Sequence, residues 1–302
     1  MNVVSFYRFL DISEPVVVRD ELQALCERQG LLGTVLIATE GFNGTLAGER
    51  DAIEGVFGWL RGRFDIAEAL DARWTTAAEA PFRRMRVRVK KEIVTLGRPD
   101  ILPQRITGQH VPPEQWNALL ENPDVLVVDT RNHYEYEVGT FPGAIDPGND
   151  SFREFPEFAR ELAEKSGDRP LAMFCTGGIR CEKASALMLE LGFSEVYQLQ
   201  GGILNYLDTV SADDNRWDGE CFVFDTRVAV DRDLSEGGYV QCHACRRPLS
   251  AVDLESPDYR EGVSCPRCIN ETDSDRRARL EERSRQVQLA AERGEAHIGA
   301  KI

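Results

Sequence analysis

Leu171-Ala172-Met173-Phe174-Cys175-Thr176-Gly177-Gly178-Ile179-Arg180-Cys181-Glu182-Lys183-Ala184-Ser185-Ala186-Leu187-Met188-Leu189-Glu190-Leu191-Gly192 reads as a strand, a loop and a helix in succession. The apolar Leu171 to Phe174 is a buried strand end. Glu182 to Leu191 has helix-forming composition and stops at Gly192. Cys175 therefore falls on a tight loop on which backbone N–H groups converge. Gly177 and Gly178 let that loop close around an anion. The positive end of the following helix and the charge of Arg180 add to the field. All of these favour thiolate over thiol, so Cys175 is expected to be an ionised, accessible nucleophile. The bland alternative, a small buried hydrophobe, is disfavoured by the surrounding Thr176, Gly177, Gly178, Ile179 and Arg180.

Working outward, Val125 to Asp129 is an uninterrupted apolar strand ending in a carboxylate, as in a central parallel strand. Pro112 to Leu120 reads as a helix before it. Strands at Pro170 to Phe174 and Glu195 to Leu199 alternate with helices, which makes residues 108–212 an α/β domain with a parallel sheet. Cys175 then lies at the carboxyl end of a strand, where such sheets place ligands. Residues 1–98 read as βαββαβ. Strands are expected at Val3 to Phe9, Gly33 to Ala38, Gly44 to Ala47 and Met85 to Leu96, with helices at Glu14 to Arg28 and Asp51 to Arg63. That order suggests a ferredoxin-like, acylphosphatase-like sandwich with helices on one face. Glu40-Gly41-Phe42-Asn43 reads as a turn, and Gly97 to Val111 as a linker.

Residues 213–302 have little apolar periodicity and end in a charged helix over Asp275 to Arg293. They hold Cys242-His243-Ala244-Cys245 and Cys265-Pro266-Arg267-Cys268, nineteen residues apart. That spacing fits a structural zinc site built from Cys242, Cys245, Cys265 and Cys268, with no open position for substrate. Metal binding would substitute for a missing core. The competing reading is two redox pairs. His243 is expected to be exposed.

The chain has 302 residues, 42% of them apolar and 29% charged, with a formal net charge of −15. No apolar run is long enough for a transmembrane helix. No signal-peptide pattern opens the chain. Of the eight cysteines, six cluster in the loop and the two pairs, which argues for a reducing, cytoplasmic setting. The acidity predicts long-range repulsion of nucleic acid. Against it, Arg83, Arg84, Arg86, Arg88, Lys90 and Lys91 crowd one strand, with Arg84, Arg86, Arg88 and Lys90 on one face. A solvated sheet face or phosphate contact explains this stripe. Arg246, Arg247, Arg260 and Arg267 add positive charge near the cysteine pairs.

Cys175 and Arg180 also have the Cys-x5-Arg spacing of tyrosine and dual-specificity phosphatases. The flanking sequence separates the two possibilities. Val127-Val128-Asp129-Thr130-Arg131-Asn132-His133-Tyr134-Glu135-Tyr136, followed by Gly139-Thr140-Phe141-Pro142-Gly143-Ala144-Ile145, resembles the first rhodanese signature. Gln200-Gly201-Gly202-Ile203 resembles the second. The resemblance covers roughly residues 111–207. It implies a loop cysteine that carries a persulfide or another adduct, with the loop amides and Arg180 holding the anion. Asp129 and Arg131 would buttress the loop; otherwise they are a helix cap and a surface ion pair. Thr140 stands where many rhodaneses have histidine, which marks a divergent branch. Cys181 would resolve an oxidised Cys175 as a disulfide, or simply pack in its helix.

Across nearly its full length the chain resembles the bacterial tRNA uridine hydroxylase family of rhodanese-like proteins. Further matching stretches are Ile37 to Thr45, Lys91 to Gly97 and Arg293 to Gly299. The resemblance implies oxygen-dependent 5-hydroxylation of the wobble uridine, with molecular oxygen as co-substrate and the tRNA anticodon loop as partner. No redox cofactor is identified: there is no dinucleotide fingerprint and no two-His-one-carboxylate set. No obligate protein partner and no membrane contact are expected. A persulfide or thiosulfate sulfurtransferase is the alternative, followed by a non-catalytic binding module.

Overall fold

The computed structural model describes residues 1–294. They form two compact units. The first takes residues 1–223 and 230–235, and the second takes 224–229 and 236 onward.

The first unit opens with β1 (Asn2–Phe9), α1 (Pro15–Arg28), β2 (Leu32–Ala38), β3 (Gly41–Gly48), α2 (Arg50–Phe64), β4 (Asp71–Thr76) and β5 (Met85–Val89). The sheet order is β4-β1-β3-β2-β5. The first four strands pair antiparallel, and β5 joins the edge parallel to β2. Alternate residues of the strands, including Phe6, Val35, Ile37, Phe42 and Val87, meet Leu22 and Cys26 of α1 and Ile53, Val56 and Leu60 of α2 in one core. This is the expected acylphosphatase-like sandwich with two corrections. The fourth strand of the motif is Asp71–Thr76, not Met85 to Leu96; the latter region supplies only a short fifth strand. Glu40 to Asn43 is not all turn, because β3 starts at Gly41 opposite Ala38.

The chain continues through β6 (Gln109–Val111), α3 (Pro113–Leu120), β7 (Leu126–Asp129), α4 (His133–Tyr136), β8 (Gly139–Thr140), α5 (Phe155–Ser166), β9 (Leu171–Phe174), α6 (Ile179–Glu190), β10 (Val196–Leu199), α7 (Gly202–Thr209) and β11 (Asp218–Gly219). The second sheet has the order β6-β10-β9-β7, with every pairing parallel. The pleat of β9 divides the packing. Leu171 and Met173 face a cluster with Phe155, Ala159 and Leu187. Ala172 and Phe174 face Trp116, Ile203 and Tyr206. A sheet covered on both faces needs uniformly apolar strands, which is what β9 offers. The expected linker over Gly97 to Val111 is corrected here: its last residues are β6, an edge strand of this sheet.

Helix α6 is buried from Arg180 through Met188. One side packs on the parallel sheet. On the other, the Lys183 ammonium lies 2.7 Å from both Glu40 and Glu92 of the N-terminal segment. The side chain of Lys183 is fully enclosed, so these two carboxylates hold a charge that water cannot reach.

The second unit contains a short antiparallel ladder, Val240–Gln241 with Pro248–Leu249, then α8 (Ala251–Glu255) and α9 (Ser274–Glu292). Its small core is Leu249 and Ala244 with the cysteines themselves, and Leu254, Tyr259 and Leu280 pack against it. Of the matching stretch Arg293 to Gly299, Glu295 onward lies outside the described residues. No helix among the described residues is long and apolar enough to cross a membrane.

Candidate active site

Cys175 follows the last residue of β9, and α6 begins at Ile179, earlier than its sequence pattern indicates. The loop is therefore only Cys175 to Gly178, and Arg180 and Cys181 belong to the first turn of the helix. The backbone N–H of Gly178 donates to Cys175 Sγ at 3.1 Å. Gly178 adopts φ +96°, a conformation that a side chain resists. The loop is fixed from behind by α7. Ile203 N–H donates to the Cys175 carbonyl at 2.9 Å, and Leu204 N–H to the Thr176 carbonyl at 3.1 Å. This brings Gly202 so close that a Cβ there would sit 2.5 Å from the Cys175 carbonyl oxygen.

Burial works against ionisation of Cys175. It is outweighed by the hydrogen bond from the Cys181 thiol, the charge of Arg180 and the N–H groups of Cys181 and Arg180, which bring the thiol down to about 6. Burial and its bond to Cys175 push the Cys181 thiol well up, so the neutral member of the pair is Cys181. Cys181 also lies 3.6 Å from Thr130 Oγ1.

The sulfur is only 1% exposed. The expectation of an accessible Cys175 is thus corrected: the thiolate is poised but enclosed. Gly177 of the loop and Ile179 at the start of α6 are partly exposed, and nothing lies within 4 Å of a Cβ at Gly177. The loop meets solvent there.

Arg180 does not extend freely toward an anion. Its guanidinium makes a two-point contact with Glu135, at 2.6 and 2.7 Å, and reaches Thr176 Oγ1 at 3.3 Å. Glu135 Oε2 also accepts the Asn132 N–H. Glu135 is fully buried and was missed as a site residue; the Asn132-x-x-Glu135 spacing at a helix start was its available signal.

Asp129 and Arg131 form a fully buried pair at 2.6 Å rather than a surface one. They do not buttress the cysteine loop. Arg131 donates to the Gly139 carbonyl and stacks on Trp217, while Thr140 Oγ1 donates to Asp129 at 3.1 Å. The residue that supports the loop from this strand end is Thr130, whose N–H and hydroxyl both reach the Phe174 carbonyl at 3.0 Å.

The N-terminal domain closes over the other side. Tyr7 of β1 donates to Glu182 Oε1 at 3.1 Å, and its hydroxyl oxygen lies 3.0 Å from where a Gly178 Cβ would be. Burial, with Glu182, Asp71 and the Cys175 thiolate nearby, holds the Tyr7 phenol neutral. Glu182 collects further donors from His110 at 2.9 Å, Thr107 at 2.8 Å and Gln198 at 3.3 Å. Arg73 of β4 donates to the Gly201 carbonyl. Neither Tyr7 nor Arg73 belongs to a recognisable motif.

Arg84, Arg86, Arg88 and Lys90 are all exposed along β5 and its ends. They are not gathered at the cysteine loop. In the second unit Arg247 pairs with Glu271 and Arg260 with Glu281, so these charges are largely balanced. His243 is exposed. The sulfurs of Cys242, Cys245, Cys265 and Cys268 lie within 4.8 Å of one another, and this cluster could hold a metal ion. Two of the separations are 3.5 and 3.8 Å, close to the roughly 3.8 Å between sulfurs around tetrahedral zinc. None of the eight cysteines is in a disulfide.

Two family models match the chain: a "UPF0176 acylphosphatase like domain" over residues 1–93 and a "Rhodanese-like domain" over residues 112–209. Curated relatives match nearly end to end. The tRNA uridine(34) hydroxylase of Teredinibacter turnerae is 47% identical over 98% of this chain and 92% of its own. That of Gluconobacter oxydans is 48% identical over 100% of this chain and 97% of its own. Among solved structures, a rhodanese-like domain from Anabaena sp. covers 37% of this chain and 80% of its own at 18% identity, with a TM-score of 0.31.

Proposed function

The chain belongs to the tRNA uridine(34) hydroxylase family, and from that premise we propose that it converts the wobble uridine of tRNA to 5-hydroxyuridine with Cys175 as nucleophile. The observation that carries the reading is a sulfur that accepts the Gly178 N–H at 3.1 Å and the Cys181 thiol beside the charge of Arg180, surroundings that bring its pKa down to about 6.

The thiolate adds to C6 of the uracil ring. An S–C6 bond forms and the C5–C6 π pair moves toward C5 and O4, which makes C5 electron-rich. C5 attacks the distal oxygen of a hydroperoxide, the two-electron reduction product of molecular oxygen made by an external donor: the C5–O bond forms, the O–O bond breaks, the other oxygen leaves as hydroxide and takes up a proton, so C5 is oxidised by two electrons and the peroxide is reduced by two. Loss of the C5 proton and departure of the thiolate restore the double bond. Arg180 and the loop N–H groups stabilise the leaving thiolate. Cys181, neutral and adjacent, donates its hydrogen bond to Cys175 whenever the sulfur is free. The base leaves its stack to enter, which costs least in a single-stranded anticodon loop, and Gly177 and Ile179 mark the entrance.

Arg84, Arg86, Arg88 and Lys90 contact the tRNA backbone in this reading. Zinc is the metal whose coordination suits the four cysteines, with no open position and a purely structural role.

Nucleoside mass spectrometry tests the assignment. A strain lacking the gene and complemented with wild type contains 5-hydroxyuridine or its derivatives; one complemented with Cys175→Ser lacks them. Full levels of the product with Cys175→Ser would refute the reading. A sulfurtransferase would instead leave 5-hydroxyuridine unchanged in the deletion strain.

A further inference from the structure

The N-terminal sheet carries its helices on one face. On the opposite face, strand register places Arg73 of β4, Ser5 of β1, Thr45 of β3, Thr34 of β2 and Arg86 of β5 in one line across all five strands. The neighbours of these residues point into the core, so alternation turns the line outward. Arg86 is exposed and the other four are partly exposed. The Ser5 and Thr45 hydroxyls lie 3.0 Å apart at its centre.

The line runs between two flanking groups of residues. One bank is built by Val3, Ala47 and Ala77 with Phe82 packed against them. The other bank is the segment after β5, where Asn43 donates to the Ile93 carbonyl, and the junction with the rhodanese domain, where Tyr7 donates to Glu182. That second bank leads directly to Gly178 and the Cys175 loop.

We propose that this line binds the sugar–phosphate backbone of the RNA strand that delivers its base to Cys175. The inference rests on the tRNA reading above. The Arg86 guanidinium at one end and the hydroxyls along the line suit phosphate oxygens and riboses, while Arg73 at the other end is held on the Gly201 carbonyl beside the cysteine loop. Four strand spacings give a line about 19 Å long, enough for several nucleotides. Positive charge concentrates here although the chain carries −15 overall. The acidic residue in register on this face, Asp71, stands opposite Tyr7, one pair beyond the line.

The test is fluorescence anisotropy of the full chain with a synthetic anticodon stem-loop RNA at two salt concentrations. Thr34→Glu, which sets a carboxylate in mid-line, is expected to weaken binding at least about tenfold. Arg86→Ala is expected to lower the salt-dependence slope by about one counterion. Thr34→Lys, at the same site, is expected to bind at least as tightly as wild type, which separates charge from folding. Arg160→Glu, exposed on α5, serves as a control and leaves affinity unchanged. If wild type fails to bind the RNA, the tRNA reading falls and the line with it. If wild type binds and Thr34→Glu and Arg86→Ala bind equally well, the line is overturned and the tRNA reading stands.

Discussion

Tyr7 and Glu182, 175 positions apart in sequence, share a hydrogen bond of 3.1 Å that joins the first strand of the protein to the helix following its reactive cysteine. Glu182 is the hub of this junction. Burial raises its pKa, but the hydrogen bonds from His110, Thr107 and Gln198 prevail and keep it ionised. His110, with its side chain 43% exposed, brings the same network to solvent.

The hydrogen bond to Glu182 raises the pKa of His110, against the opposing effect of burial. A raised histidine pKa means that its charged form stabilises the fold below about pH 6.5 and that this contribution fades as pH rises through the folded value. Glu182→Gln should therefore lower the His110 pKa, measured by NMR titration of its ring protons. An unchanged titration would show that the carboxylate does not govern His110.

Ultraviolet absorbance of the thiolate, compared between wild type and Cys175→Ser, should show one sulfur ionising near pH 6. The signal should be complete well above that pH and vanish as pH falls through it, whereas an ordinary thiol titrates near 8.5. Cys181→Ala removes the donor and should move the transition upward.

Glu135→Ala deprives the buried Arg180 of its carboxylate. Removing one partner of such a pair costs about 3–5 kcal/mol. Urea denaturation should show a lowered midpoint and a loss of unfolding free energy of that size, and the Arg180 charge, no longer offset by Glu135, should lower the Cys175 pKa further.

Gly202→Ala and Gly143→Ala make a matched comparison. Both glycines have positive φ, but nothing lies near a Cβ at Gly143, whereas at Gly202 it meets the Cys175 carbonyl. Gly143→Ala should cost only the left-handed backbone penalty, about 1–2 kcal/mol. Gly202→Ala should also displace the loop and abolish the low-pH thiolate signal.

Treatment with a chelator should unfold the region around Cys242 to Cys268, because the core there is only Leu249, Ala244 and the cysteines with Leu254, Tyr259 and Leu280 packed against them. Hydrogen exchange should rise in that region and stay low in β9 and α6. Uniform exchange before and after chelation would remove the structural role.

The parallel sheet and its cysteine loop were legible because β9 is continuously apolar and two glycines precede a helix. The strand Asp71–Thr76 was not, since only Ala72 and Trp74 turn inward and the rest is polar. Asp129 and Arg131 were legible as a pair but not as a buried one: their partners, Gly139 and Trp217, are distant or featureless in sequence. Tyr7 and Arg73 gain their position only from domain packing, which no local pattern records. Lys183 looked like an ordinary helix lysine until Glu40 and Glu92 closed around it.

That enclosed lysine bears on how the protein can be dissected. A fragment cut to contain only the rhodanese region would carry an ammonium stripped of both its counter-ions on a newly bared helix, three residues after Arg180. Inactivity of such a fragment would report a broken scaffold rather than a dispensable chemistry, so Cys175 has to be studied in a chain that retains its first hundred residues.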